Sequence, residues 1–112
     1  MAVPNLNRKL VLEAPERIAD GAGGFSQAWV ALGEVWAEVR PGTGVERAGE
    51  FVTLASVPFR IVVRAAPEGS PRRPLPEQRL RDGTRIFRIL AVAEADAAGH
   101  YLTCFTREEV VA

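Results

Sequence analysis

Between its glycines and prolines this chain alternates apolar and polar residues with a period of two. Almost nowhere does it fit the 3.6-residue period of an amphipathic helix. The clearest run is "VPFRIVVRA" (57–65), with Phe59, Ile61 and Val63 on one face and Arg60, Val62 and Arg64 on the other. "RKLVLEA" (8–14) puts Leu10 and Leu12 on one side. "LGEVWAEVR" (32–40) sets Val35, Ala37 and Val39 against Trp36, Glu38 and Arg40. Asp20-Gly21, Gly23-Gly24 and Asp82-Gly83 punctuate these runs, and they supply positive-φ positions at no steric cost. Four prolines between 67 and 78 exclude that stretch from a sheet interior. The pattern predicts an all-β domain, a small antiparallel barrel or sandwich of five or six strands.

The expected strands are 8–14, a short one from Phe25 toward Trp29, 32–40, 57–65, a long one after Asp82-Gly83 carrying Phe87, Ile89 and Ala91 on one side, and a last one over 100–107. Residues 15–29 begin as a turn region, and 67–79 form a Pro/Arg-rich loop. After the Trp36 strand comes a second loop over 41–54, with a short helical turn as an alternative at 45–50. At 112 residues the chain is expected to be one domain, 1–112, with 47% hydrophobic and 25% charged residues. Its single cysteine, Cys104, excludes an internal disulfide, and no run approaches 18 apolar residues. With no secretory signal at its start, the chain reads as a soluble protein of a reducing cytoplasm, with no membrane partner.

Charge is balanced overall but unevenly placed. Residues 1–59 carry −2, residues 60–88 carry +5 through eight arginines, and residues 89–112 carry −3. Such a chain can dock on copies of itself or on charged partners. Arg60, Arg64, Arg72, Arg73 and Arg79 are therefore candidate contacts, with the acidic pair Glu108 and Glu109 as candidates of opposite sign.

The inventory for catalysis is thin. His100, the only histidine, sits in a hairpin, and Cys104 lies mid-strand between Thr103 and Phe105. A nucleophilic thiol needs an electropositive, partly exposed setting, so Cys104 reads as a buried apolar residue. No CxxC or HxxxH pattern supplies a metal set, and "GAGG" and "PGTG" lack the context of a phosphate-binding loop. No enzyme, metal or cofactor is expected. A small β-barrel nucleic-acid-binding module is the rival from another class, resting on the Arg-rich block. Zero net charge, one Tyr and two Trp argue against a base-stacking face.

The order of the pieces resembles the head–tail joining (head-closure or stopper) family of tailed bacteriophages over nearly the whole chain. The residues that carry the resemblance are "LNRKLVL" (6–12), "DGAGGFSQAW" (20–29), "VWAEVRPGTGVE" (35–46), "FRIVVR" (59–64), "DGTRIFRIL" (82–90) and the closing Glu108-Glu109. Two departures concern partner contacts: "SVPFRI" replaces a Thr-His lead into the fourth of these, and "GSPRRPLPEQRL" is longer and richer in proline.

The resemblance implies a β-barrel subunit of the virion, made in the bacterial host, that forms a ring of six or twelve copies. The ring would sit under portal and adaptor proteins, close the DNA channel after packaging, and dock a tail-terminator or tail-tube protein, with non-specific contact to packaged DNA. The loop after the Trp strand would project into the channel. It comprises Pro41, Gly42, Thr43, Gly44, Val45, Glu46, Arg47, Ala48, Gly49 and Glu50, and runs on to 54. A dozen extended residues give an arm of roughly 20 Å out and back at ~3.3 Å per residue. Glu46, Arg47 and Glu50 would pair between neighbouring arms. A tail-terminator ring protein is the alternative within the virion.

Overall fold

In the computed structural model, residues 3–42 and 56–109 are described. All regular structure among them is strand: β1 (Arg8–Ala19), β2 (Phe25–Pro41), β3 (Ser56–Arg64), β4 (Arg79–Asp82), β5 (Arg85–Glu94) and β6 (Tyr101–Glu109). Every pairing is antiparallel, and the sheet closes on itself in the order β1-β2-β3-β6-β5-β4. Closure removes the open edges that an antiparallel sheet would expose to other chains. It rests on three residue pairs between β1 and β4, Val11–Arg81, Leu12–Leu80 and Glu13–Arg79.

Alternation fills the barrel. Leu10 and Leu12 of β1, Ala37 of β2, Ile61 and Val63 of β3, Leu80 of β4, Phe87 and Ile89 of β5, and Leu102 and Cys104 of β6 form one buried cluster. Val35, Val39, Phe59 and Val92 pack around it, with the Phe59 and Phe87 rings edge to face at 5.4 Å.

Several expected boundaries shift. β1 runs five residues past Ala14, and the turn region shrinks to 20–24, where the Asp20 carboxylate accepts N–H bonds from Ala22 (2.8 Å) and Gly24 (3.1 Å). The two strands expected at Phe25 and Leu32 are one strand of 17 residues. Its Gly33 marks a bulge: Leu12 faces Gly33 while Glu13 faces Ala31, leaving Leu32 as the extra residue. At φ +149°, Gly33 occupies backbone space that an L side chain rarely adopts. β4 is a strand that the sequence pattern does not predict: Arg79 falls at the end of the expected loop, and Leu80 points inward between Arg79 and Arg81.

Two side-chain placements also differ. Val62 is buried despite its outward position; it faces Glu38, to which the N-terminal segment is tied by the Asn5 N–H at 3.0 Å. Ala91 is exposed because a second bulge between Ile89 and Ala91 reverses the alternation and turns Val92 toward the core.

The strand ends define two mouths. At one, β2 leaves at Pro41 and β3 begins at Ser56, beside the end of β6. At the other lie the 65–78 connection, the β5–β6 hairpin and the far half of β1–β2. That half is a two-stranded ribbon. Beyond Glu13, β1 pairs with β2 alone, and β2 meets β3 only from Ala37 to Pro41.

Candidate assembly surfaces

Half of the arginines in the basic middle of the sequence are paired with carboxylates inside the chain. Barrel order puts β4 and β5 next to β1 and β6, so arginines of 60–88 meet the acids of the flanks. Glu13 is 5% exposed and receives Arg79 Nε at 2.6 Å on one oxygen and Arg81 Nε at 2.8 Å on the other. Burial opposes its ionisation. The hydrogen bonds from Arg81 and Arg79 and their charges outweigh that, so the carboxyl titrates below its ordinary value. Arg79 also lies 4.1 Å above the Trp29 ring, with Arg88 at 6.0 Å. This knot fastens β4, the ribbon and β5 together on the outer wall.

A second pair closes the mouth near Pro41. Arg85 and Glu108 lie in the inward-facing rows of β5 and β6. Two parallel bonds, Nε–Oε2 at 2.7 Å and Nη2–Oε1 at 3.0 Å, join them. The Arg85 guanidinium is 4.9 Å from the Phe87 ring and 5.6 Å from Phe59, so the pair sits as a polar lid on the apolar core. The Arg85 hydrogen bond holds the Glu108 carboxyl below the usual range, against the effect of burial. Glu109 pairs with Arg88 at 3.3 Å on the outer face.

The residues singled out from sequence are spread over the molecule rather than gathered into one site. Arg79, Glu108 and Glu109 are engaged in these intrachain pairs. Arg60 and Arg64 lie on the outer face of β3, over the rings of Phe105 (5.6 Å) and Tyr101 (5.8 Å). In the 65–78 connection, Arg73 donates to the Ala66 carbonyl at 2.8 Å. Arg72 lines a cleft of about 390 Å³ with Leu6, Trp36 and Arg64.

Pro41 still belongs to β2, facing Phe59, and the Gly42 N–H donates to the Pro58 carbonyl at 2.9 Å. A Cβ at Gly42 would come within 2.9 Å of Pro58, so this glycine serves close packing. The other residues of the expected channel loop, Thr43, Gly44, Val45, Glu46, Arg47, Ala48, Gly49 and Glu50, lie outside the described residues, as does the alternative helical turn at 45–50.

Sequence reasoning missed Glu13, Arg85 and the ribbon. An acid following Leu10-Val11-Leu12 in an alternating strand was the available signal for Glu13, because its partners come from a strand too short to stand out. Cys104 is fully buried, and burial pushes its thiol up to about 12. Among the described residues no group of three or more His, Cys, Asp or Glu side chains is placed to hold a metal ion.

The class that the fold defines is a small closed antiparallel barrel of six strands, with ion pairs joining β1 to β4 and β5 to β6. Comparison with known proteins gives the family. The model of the phage head completion protein family matches residues 1–109, and the chain belongs to that family. It is accordingly a structural virion protein and not an enzyme. Among solved structures, a chain from the virion of a native gene transfer agent particle is 73% identical. The match covers 98% of this chain and 100% of that one, with a TM-score of 0.81. No curated protein matches.

Proposed function

We propose that this head completion protein acts as the closure ring at the head–tail junction. Copies assemble beneath the portal and adaptor, seal the DNA channel after packaging, and present the surface on which the tail docks. The observation that carries this reading is the match to the head completion family over residues 1–109, joined by a 73% identical relative in a gene transfer agent virion. The segment after Gly42 is the part assigned to the channel. Its two ends, Pro41 and Ser56, are held at one mouth of the barrel, beside the Arg85–Glu108 pair. In this reading Glu46, Arg47 and Glu50 are assigned to pairing between neighbouring copies around the channel.

Electron microscopy of particles from producing cells tests the proposal. Cells lacking the chain should yield tailless heads that have lost their DNA. Cells carrying a deletion of residues 45–49 should yield heads that keep the ring and leak DNA. Tailless heads that retain DNA would favour tail completion, and normal particles would sink the connector role altogether.

A further inference from the structure

The β1–β2 ribbon carries an apolar face that nothing among the described residues covers. Cross-strand partners in an antiparallel pair share a face. Ala14 with Val30, Glu16 with Ala28, and Ile18 with Ser26 therefore form one side of the ribbon. This side continues the inward row of Leu10 and Leu12 past the mouth of the barrel, where no opposite wall exists. Ile18 is 44% and Val30 40% exposed. Two strands alone are marginally stable in water, and a ribbon of this kind needs something packed against its apolar face. The opposite side carries Arg79 over Trp29 and Arg17 over the exposed ring of Phe25 at 4.2 Å, so its aromatic residues have cations of their own chain against them.

A complementary surface lies across the barrel. Leu90 is the extra residue of the β5 bulge, and it is 53% exposed beside the 37% exposed Phe105. The two line a shallow cleft of about 170 Å³ whose lining also includes Arg60 and Arg107, both engaged within the chain. The ribbon offers it two aliphatic side chains and, between Ala14 and Ile18, the carboxylate of Glu16. Strand order puts β1–β2 and β6–β5 on opposite sides of the six-stranded ring. A chain therefore cannot lay its ribbon on its own cleft. It can lay it on the cleft of a second copy, and that contact joins unlike surfaces, which is what closes copies head to tail into a ring.

We infer that the β1–β2 ribbon is the clasp between neighbouring copies: its Ile18–Val30 face seats on the Leu90–Phe105 wall of the next. This rests on the ring assignment above and names the surface that builds it.

Cysteine pairs test it in assembled particles, because the native Cys104 is buried and out of reach of thiol reagents. Particles carrying Ile18→Cys with Leu90→Cys, treated with a short bis-maleimide, should give a ladder of dimers and higher multimers on a denaturing gel. Either cysteine alone should give no multimers. A missing ladder from particles whose ring is visible by electron microscopy overturns the clasp and leaves the ring standing. Particles with no ring at the junction overturn both. As a second measure, Ile18→Asp, at an exposed position, should leave the isolated chain's circular dichroism and thermal midpoint unchanged. It should cut the copies incorporated per particle at least tenfold, and normal incorporation overturns the clasp.

Discussion

At the scale of single residues, the barrel is closed by a carboxylate. β4 is four residues long and contributes one fully buried apolar side chain, Leu80. Its attachment to β1 therefore leans on Glu13, whose two oxygens each take one guanidinium. Removing the charge leaves Arg79 and Arg81 crowded together without a counter-ion in a half-buried site. Breaking a fully buried pair costs about 3–5 kcal/mol, whereas exposed pairs contribute about 0–1. The Arg81 side chain is 38% exposed, so Glu13→Gln should cost about 2 kcal/mol at neutral pH. The pH dependence has a definite sign. A carboxyl whose folded pKa lies below its ordinary 4.5 stabilises the fold fully above that value and progressively less as pH falls through the folded pKa. Urea midpoints of parent and variant should thus lie apart at pH 7 and converge below about pH 4.5. A gap that stays constant with pH would mean that packing, and not the charge pair, explains the loss. Cys104 shows the opposite case: a thiol pushed up to about 12 stays protonated at neutral pH and contributes only its volume to the core.

At the scale of elements, the bulge at Gly33 separates barrel from ribbon. It inserts Leu32 where β1 stops pairing with β4 and runs on with β2 alone. Gly33→Ala meets no atom within 4 Å of the new Cβ, so its cost comes from the backbone at φ +149°. That cost is about 1–3 kcal/mol, read as a lower urea midpoint; an unchanged midpoint would show that the bulge relaxes freely. The same glycine explains what the sequence made legible here. Period-two alternation marked the cores of β1, β2, β3 and β5, because each buries one face, whereas β6 carries apolar residues on both faces. "ALG" at 31–33 read as a break because a glycine that ends a strand and one that bulges it look alike before the partner is known. Ala91 failed for the same reason, since a bulge reverses every later position. β4 was hidden by its length and by the prolines before it. Arg79, Glu108 and Glu109 read as partner contacts from the charge pattern alone, and their intrachain partners lie 66, 23 and 21 residues away in sequence. No local pattern reports such distances.

At the scale of the whole molecule, the two ends of the barrel differ: β2 ends at Pro41 and β3 begins at Ser56 at the Arg85–Glu108 mouth, and the ribbon leaves from the other. The charge layout bears on the choice between the proposed connector role and the rival nucleic-acid-binding module. Backbone binding needs several cations presented together, since the slope of log K against log salt is about −0.9 per phosphate neutralised. The sequence offers eight arginines in 60–88, yet Arg79, Arg81, Arg85 and Arg88 are each paired to a carboxylate of β1 or β6. Half of the block is neutralised and the chain has no net charge, which argues against a phosphate track on the outer wall. The isolated chain should therefore leave duplex DNA unretarded at ~50 mM salt and ~10 μM protein, within the range where non-specific binders engage. Retardation that weakens by orders of magnitude between 50 and 200 mM salt would show a basic surface formed despite these pairs, and would move the assignment toward DNA binding. Glu13→Gln, which releases two arginines on one wall, should be the variant in which any such binding first emerges.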